Sequence, residues 1–184
     1  MNWEEAVVSW ANDLAGRSAT LDWVMFQLAD GRLWIIPLVA VLGWWLWKGR
    51  TRAAITMLTL AAGIGIGDFI GGRLKVAFGR PRPCRILDTW NDVAGCGGAF
   101  SMPSNHMVNS ALAASFLQVL FPRSGWITWP LVALNAFARM FSAAHYPTDI
   151  VAGLLIGGGI GTCLALALRY WRGRASSARL AHQD

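Results

Sequence analysis

Residues 53–78 and 148–171 are apolar for longer than a helix in a small soluble domain can ordinarily bury. About 20 apolar residues let a helix cross the roughly 30 Å hydrocarbon core of a bilayer. Three further runs, 33–47, 104–121 and 126–143, have the same character. Charged residues make up only 14% of the chain, against roughly 25% in soluble domains. Many of the eleven tryptophans close these runs, as Trp44, Trp45, Trp47, Trp126, Trp129 and Trp171 do. The membrane–water interface selects Trp at such places. The pattern predicts an all-α integral membrane protein, a helical bundle of about five transmembrane helices with its site at one membrane face.

At the N-terminus, Trp3, Val7, Trp10, Ala11 and Leu14 recur at helical spacing, with Glu4, Glu5, Asn12 and Asp13 elsewhere. That predicts an amphipathic helix lying in the interface, and residues 21–29 read the same way. The 184 residues then form one domain. Residues 1–30 are interfacial, 33–171 form the bundle, and 172–184 are a basic cytoplasmic tail without fixed structure. The acidic start "MNWEEAVVSWAND" does not read as a signal peptide.

The net charge of +6 is spread in short clusters between apolar runs. No basic stripe interleaved with aromatics suggests nucleic acid as a partner. With five crossings, Lys48, Arg50, Arg52, Arg123, Arg172, Arg174 and Arg179 share one side. The positive-inside rule makes that side cytoplasmic. The opposite face, carrying the loop 79–103, is then periplasmic or exterior.

Polar groups from separate stretches gather on that outer face: Lys75 and Arg82, Ser104, Asn105 and His106, Arg139, His145 and Asp149. Ionisable residues near membrane depth point to function. Lys75 and Arg82 are two helical turns apart and share a face if the helix continues. Arg139 offers a planar fork of donors suited to phosphate oxygens. Ser104 stands at an N-cap position, and the free amides of residues 104–106 would favour an anion. Asp149 can accept Nδ1–H of His145 and leave Nε2 as a nucleophile. His106 can protonate a leaving oxygen and later activate water. Taken alone, His106 reads as a helix-end histidine facing water, and His145 with Asp149 as a structural pair.

No metal is expected, because the cations can neutralise developing charge and Cys84, Cys96 and Cys163 lack metal-ligand spacing. No cofactor is expected either. Cys84 and Cys96 share the outer loop, where a disulfide is permitted. Arg73, Arg80 and Arg85 read as loop charges near lipid headgroups, and Asp68 as the partner of a nearby Lys or Arg. Gly153, Gly157 and Gly161, four apart, read as a face for close helix packing. "GIGIGD" sits within a span and is not a nucleotide loop.

Three stretches, "KVAFGRPRP" at 75–83, "PSNH" at 103–106 and "ARMFSAAHYPTD" at 138–149, resemble the type 2 phosphatidic acid phosphatase superfamily. Its motifs are Lys-x6-Arg-Pro, Pro-Ser-Gly-His and Ser-Arg-x5-His-x3-Asp. The resemblance implies an all-α, metal-independent membrane enzyme acting on a lipid phosphate. It implies His145 as a nucleophile forming phosphohistidine, Asp149 as its orienting partner and His106 as general acid, then base. Lys75, Arg82, Ser104, the Asn105 backbone N–H and Arg139 would hold the phosphoryl group. Asn105 stands where the family has Gly, and Ala138 where it has Ser. The expected reaction is hydrolysis of undecaprenyl pyrophosphate to undecaprenyl phosphate. Alternatives are phosphatidylglycerophosphate, phosphatidic acid or lipid A as substrate, or a phosphotransferase using the same site.

Overall fold

A computed structural model describes residues 2–30, 39–40, 43–44, 46–48, 51–87 and 90–180, with side chains as far as 174. The span expected at 33–47 lies largely outside the described residues. Six helices carry the described structure. They are α1 (Trp3–Asn12), α2 (Ala19–Asp30), α3 (Thr51–Phe78), α4 (Asn105–Leu120), α5 (Gly125–Phe141) and α6 (Pro147–Leu180). Among the described residues there is no strand, only an isolated bridge between Pro81 and Phe100.

α3 and α6 are long and apolar enough to cross a membrane. α4 and α5 have 16 and 17 residues, so each runs only about 25 Å at 1.5 Å per residue. That is short of a roughly 30 Å core, although both occupy the stretches expected of spans. α6 departs from expectation at its end. The segment 172–180, expected to lack fixed structure, continues the helix to Leu180. Its Ala and Arg residues are good helix formers, and a basic charge does not oppose that.

α4 is the central helix, burying Met107, Val108, Ala111, Leu112, Ala114, Ser115 and Phe116. α6 lies closest to it because of the expected glycine face. A Cβ on Gly157 would collide with the Val108 carbonyl oxygen, and one on Gly161 with that of Leu112. Facing outward are Leu58, Phe69, Leu155 and Leu166, apolar groups in positions a lipid would cover.

α1 starts on a capping box: the Glu5 N–H donates to Asn2 Oδ1, and the Asn2 N–H donates to Glu5 Oε2. Its inner face buries Val8, Ala11 and Asn12, while Trp3 and Trp10 point outward. The Asn12 amide donates to the Phe141 carbonyl at the end of α5 and to the Asn91 carbonyl. α2 packs Met25, Leu28 and Ala29 against Ala138 and Phe141. Both short helices thus sit on the end of the bundle where α3 and α5 finish and α4 and α6 begin. At the other end, Trp44, Lys48, Arg52, Thr56, Phe121 and Arg172 line a cleft of about 510 Å³. From Arg52 to Lys75, α3 rises about 35 Å, so this basic cleft lies at the opposite end from His106 and His145.

Candidate active site

α3 stops abruptly at the site. Gly79 takes the left-handed conformation (φ 58°) and its N–H closes on the Lys75 carbonyl at 3.0 Å, a glycine helix stop. Pro81 and Pro83 prevent any continuation, and Arg82 is extended (φ −78°, ψ 153°). Lys75 and Arg82 therefore do not share a helix face. A turned chain brings them to the site from two directions.

Lys75 points its ammonium at the chain entering α4, donating to the carbonyls of Pro103 at 2.6 Å and Ser101 at 3.2 Å. Arg82 is buried, and its Nη1 donates to the Ala144 carbonyl at 3.2 Å. Arg139, in the last turn of α5, donates from Nη1 to the Ala29 carbonyl at 2.6 Å. For both arginines, Nε is buried without a protein partner, leaving each a donor for another acceptor. Backbone contacts tie these pieces together. The Cys84 N–H donates to the Ala143 carbonyl at 3.0 Å, and the Ser104 N–H to the Asp149 carbonyl at 3.1 Å.

That last bond corrects one expectation: the Ser104 amide is occupied, not free for an anion. Ser104 is the N-cap residue, but its hydroxyl makes no cap bond and is buried without a partner. The amides of Asn105 and His106 belong to the first turn of α4, where no intrahelical acceptor exists. The Asn105 side chain turns toward Asp68. Its Nδ2 donates to Asp68 at 3.2 Å, as Asn109 does at 2.9 Å. Asp68 thus meets two amides rather than the expected Lys or Arg. Asn105 packs against Gly71, where a Cβ would stand 2.6 Å from its Oδ1.

His145 and Asp149 come together as their spacing suggested. His145 lies just before α6, and Asp149 is in its first turn. His145 Nδ1 is 3.6 Å from Asp149 Oδ2, longer than a formed hydrogen bond. Both residues are buried. Burial holds the His145 imidazole down to about 3, against the pull of Asp149 and with help from the Arg139, Arg82 and Lys75 charges. The same three cations act on His106, so both imidazoles lie within one positive field. The Cys84–Cys96 disulfide is formed, closing part of the loop that carries Arg82.

Arg80 is the correction with the largest consequence. It is not a loop charge near headgroups. Its Nη1 contacts Asp149 Oδ1 at 3.0 Å and Thr148 Oγ1 at 2.6 Å, and its Nη2 contacts Glu4 Oε2 at 2.6 Å. The guanidinium also lies 4.0 Å from the centre of the Tyr146 ring. Glu4, 76 positions away in sequence, has no local signal that could have paired it with Arg80. Arg80 itself was visible only as a third cation inside the first motif.

Known proteins resemble this chain in sequence and in fold. A 93-residue stretch is 43% identical to the lipid A 4'-phosphatase of Bacteroides thetaiotaomicron, covering 46% of this chain and 41% of that protein. The chain therefore matches about two fifths of that relative's length. The undecaprenyl-diphosphatase BcrC of Bacillus subtilis is 29% identical over 161 residues, 85% of this chain and 78% of that protein. The crystal structure of Aquifex aeolicus LpxE superposes with a TM-score of 0.69 at 21% identity, covering 89% of this chain and 95% of that one. The PAP2 superfamily profile matches residues 53–174, which span α3 to α6 with every motif position described above. More than half of the chain lies within that match, and the chain belongs to the PAP2 superfamily.

Proposed function

We propose that this protein is a membrane lipid phosphatase that removes the terminal phosphate of a lipid phosphate or diphosphate through a phosphohistidine. The observation that carries this is the single positive field of Lys75, Arg82 and Arg139 around a buried His145–Asp149 pair. Those cations, the Asn105 amide and the Ser104 hydroxyl hold the phosphoryl oxygens. The neutral His145 Nε2 attacks phosphorus while Asp149 steadies Nδ1–H, and their contact tightens as the imidazole gains charge. The bond to the leaving oxygen breaks, and His106 delivers its proton. His106 then takes a proton from water, whose oxygen displaces His145 from phosphorus and frees phosphate.

The first substrate class is undecaprenyl diphosphate. A named undecaprenyl-diphosphatase aligns along 85% of the chain. A second class, a phosphorylated lipid A, is favoured by the 43% identity to a lipid A 4'-phosphatase over a shorter stretch. The protein acts as one unit in the bacterial inner membrane, crossing about five times. α1 and α2 lie in the interface, the site faces outward, and the basic end faces the cytoplasm.

Phosphate release by the purified protein from undecaprenyl diphosphate, lipid A, phosphatidylglycerophosphate and phosphatidic acid tests both class and substrate. His145→Ala is expected to cut kcat by about 10³-fold or more, as loss of a covalent nucleophile does. Denatured wild type should retain labelled phosphate on His145. Full release by His145→Ala rules out the phosphohistidine route.

A further inference from the structure

Asp149 divides its two oxygens between different partners. Oδ2 accepts the Tyr146 N–H at 2.8 Å and faces His145. Oδ1 accepts from Arg80 at 3.0 Å. The carboxylate is fully buried, so its rotation is controlled by these partners rather than by water. Arg80 is in turn held from several sides. Its Nη2 meets Glu4 Oε2, its Nη1 meets the Thr148 hydroxyl, and its face lies over Tyr146. The circuit closes on α1, because Glu4 Oε1 accepts both the Thr148 N–H at 3.1 Å and the Thr148 hydroxyl at 2.6 Å.

Glu4 and Arg80 are both favoured in the charged form. Burial opposes ionisation of Glu4, but the Thr148 and Arg80 hydrogen bonds outweigh it and hold the carboxyl below its usual range. Burial likewise opposes the charge on Arg80, and Glu4 with Asp149 outweighs it. A guanidinium can serve Asp149 and Glu4 from two nitrogens of one rigid plane. An ammonium cannot hold that fork.

We propose that Arg80 is a positioning residue for phosphoryl transfer and that Glu4, on the N-terminal helix, sets Arg80 in place. Arg80 takes up Oδ1, so Oδ2 stays turned to His145 Nδ1. Its charge also keeps Asp149 a hydrogen-bond acceptor rather than a competing base for the imidazole proton. Glu4 limits that neutralisation and fixes the guanidinium plane. The N-terminal helix is thereby part of the catalytic frame. This rests on His145 being the nucleophile.

The test compares the full chain with Arg80→Ala, Arg80→Lys, Glu4→Gln, the Arg80→Ala/Glu4→Gln double variant and His145→Ala. Each is read for kcat, KM, the pH profile of kcat and thermal melting. Arg80→Ala should lower kcat about 10–100-fold, the usual cost of losing an orienting partner, with KM changed less than about threefold. Without the cation beside Asp149, His145 protonates more readily, so the acid limb of kcat should move up by about one pH unit. Arg80→Lys should recover part of kcat. Glu4→Gln should lower kcat about tenfold and add little to Arg80→Ala, because both act through one circuit. An Arg80→Ala enzyme with near-normal kcat, beside a dead His145→Ala, overturns the proposal and leaves the nucleophile standing. Loss of kcat that only tracks loss of folded protein, with the acid limb unmoved, also overturns it. Full activity in His145→Ala removes the nucleophile itself, a separate failure.

Discussion

His145 is a base kept neutral by its surroundings. Its folded value of about 3 lies below the ordinary 6.5, so the folded state favours the uncharged ring. Between those values the unfolded chain binds the proton that the folded one refuses, and stability must fall as pH drops. Above the ordinary value neither state is protonated, and His145 adds no slope. Melting of the wild type in detergent should therefore decline more between pH 6.5 and 4 than melting of His145→Gln. Parallel decline in the two would mean that His145 is not buried neutral. The approach of this histidine to Asp149 was legible in the sequence, because His-x3-Asp at a helix start brings the two side chains together. The Arg80 contact to the same Asp149 was not. It depends on a turn through Gly79 and Pro81 and on an acid from the far N-terminus, and an ion pair from a loop to a distant helix leaves no periodic trace in sequence.

α4 and α6 hold the two halves of the site, so their separation sets its geometry. α4 begins with Asn105 and His106, α6 carries Asp149, and the Ser104 N–H to Asp149 carbonyl bond joins them at 3.1 Å. Gly157 stands against the Val108 carbonyl with no room for a Cβ, whereas Gly158, next to it, has nothing within 4 Å. Gly157→Ala must push backbone rather than a flexible side chain. Overpacking of this kind costs about 1–3 kcal/mol or more, and here it also moves His106 relative to Asp149. Gly157→Ala should melt earlier and lose kcat, while Gly158→Ala should stay within about 0.5 kcal/mol of wild type. Equal behaviour of the two would show that the helices are not in this contact. The face of Gly153, Gly157 and Gly161 could be read from spacing alone, since small residues four apart make a groove. The short α4 and α5 and the extension of α6 to Leu180 could not, because hydropathy marks where a helix is apolar and not where its hydrogen bonding ends.

Across the whole molecule, the two ends carry different sets of polar groups. One end gathers Lys75, Arg82, Arg139, His106, His145 and the Cys84–Cys96 disulfide. The other carries Lys48, Arg52 and Arg172 around a cleft, with Arg172 anchored to the Thr56 hydroxyl at 2.6 Å. If the cations at the site end hold a phosphate, as proposed, they do not weigh in the positive-inside count as the cleft cations do. If the cleft faces the cytoplasm, the disulfide faces the oxidising side, where such bonds persist. Sidedness can be read from the disulfide itself in right-side-out vesicles carrying Cys163→Ser, which removes the remaining thiol. A membrane-impermeant phosphine should reduce Cys84–Cys96 in closed vesicles, and an impermeant maleimide should then label both cysteines without detergent. Labelling only after the vesicles are opened would place the site on the inner side. The same reduction should lower the melting temperature. The cysteines are 12 apart in sequence, close to the 15-residue loop for which chain entropy gives about 3 kcal/mol. The loop also holds Arg82 from behind: Arg85 Nη2 donates to the Gly97 carbonyl at 3.2 Å, and Gly97 itself lies against the Arg82 guanidinium. If Arg82 holds the phosphoryl group and His145 attacks it, as proposed, reduction should raise KM more than it lowers kcat, because it loosens Arg82 and not His145.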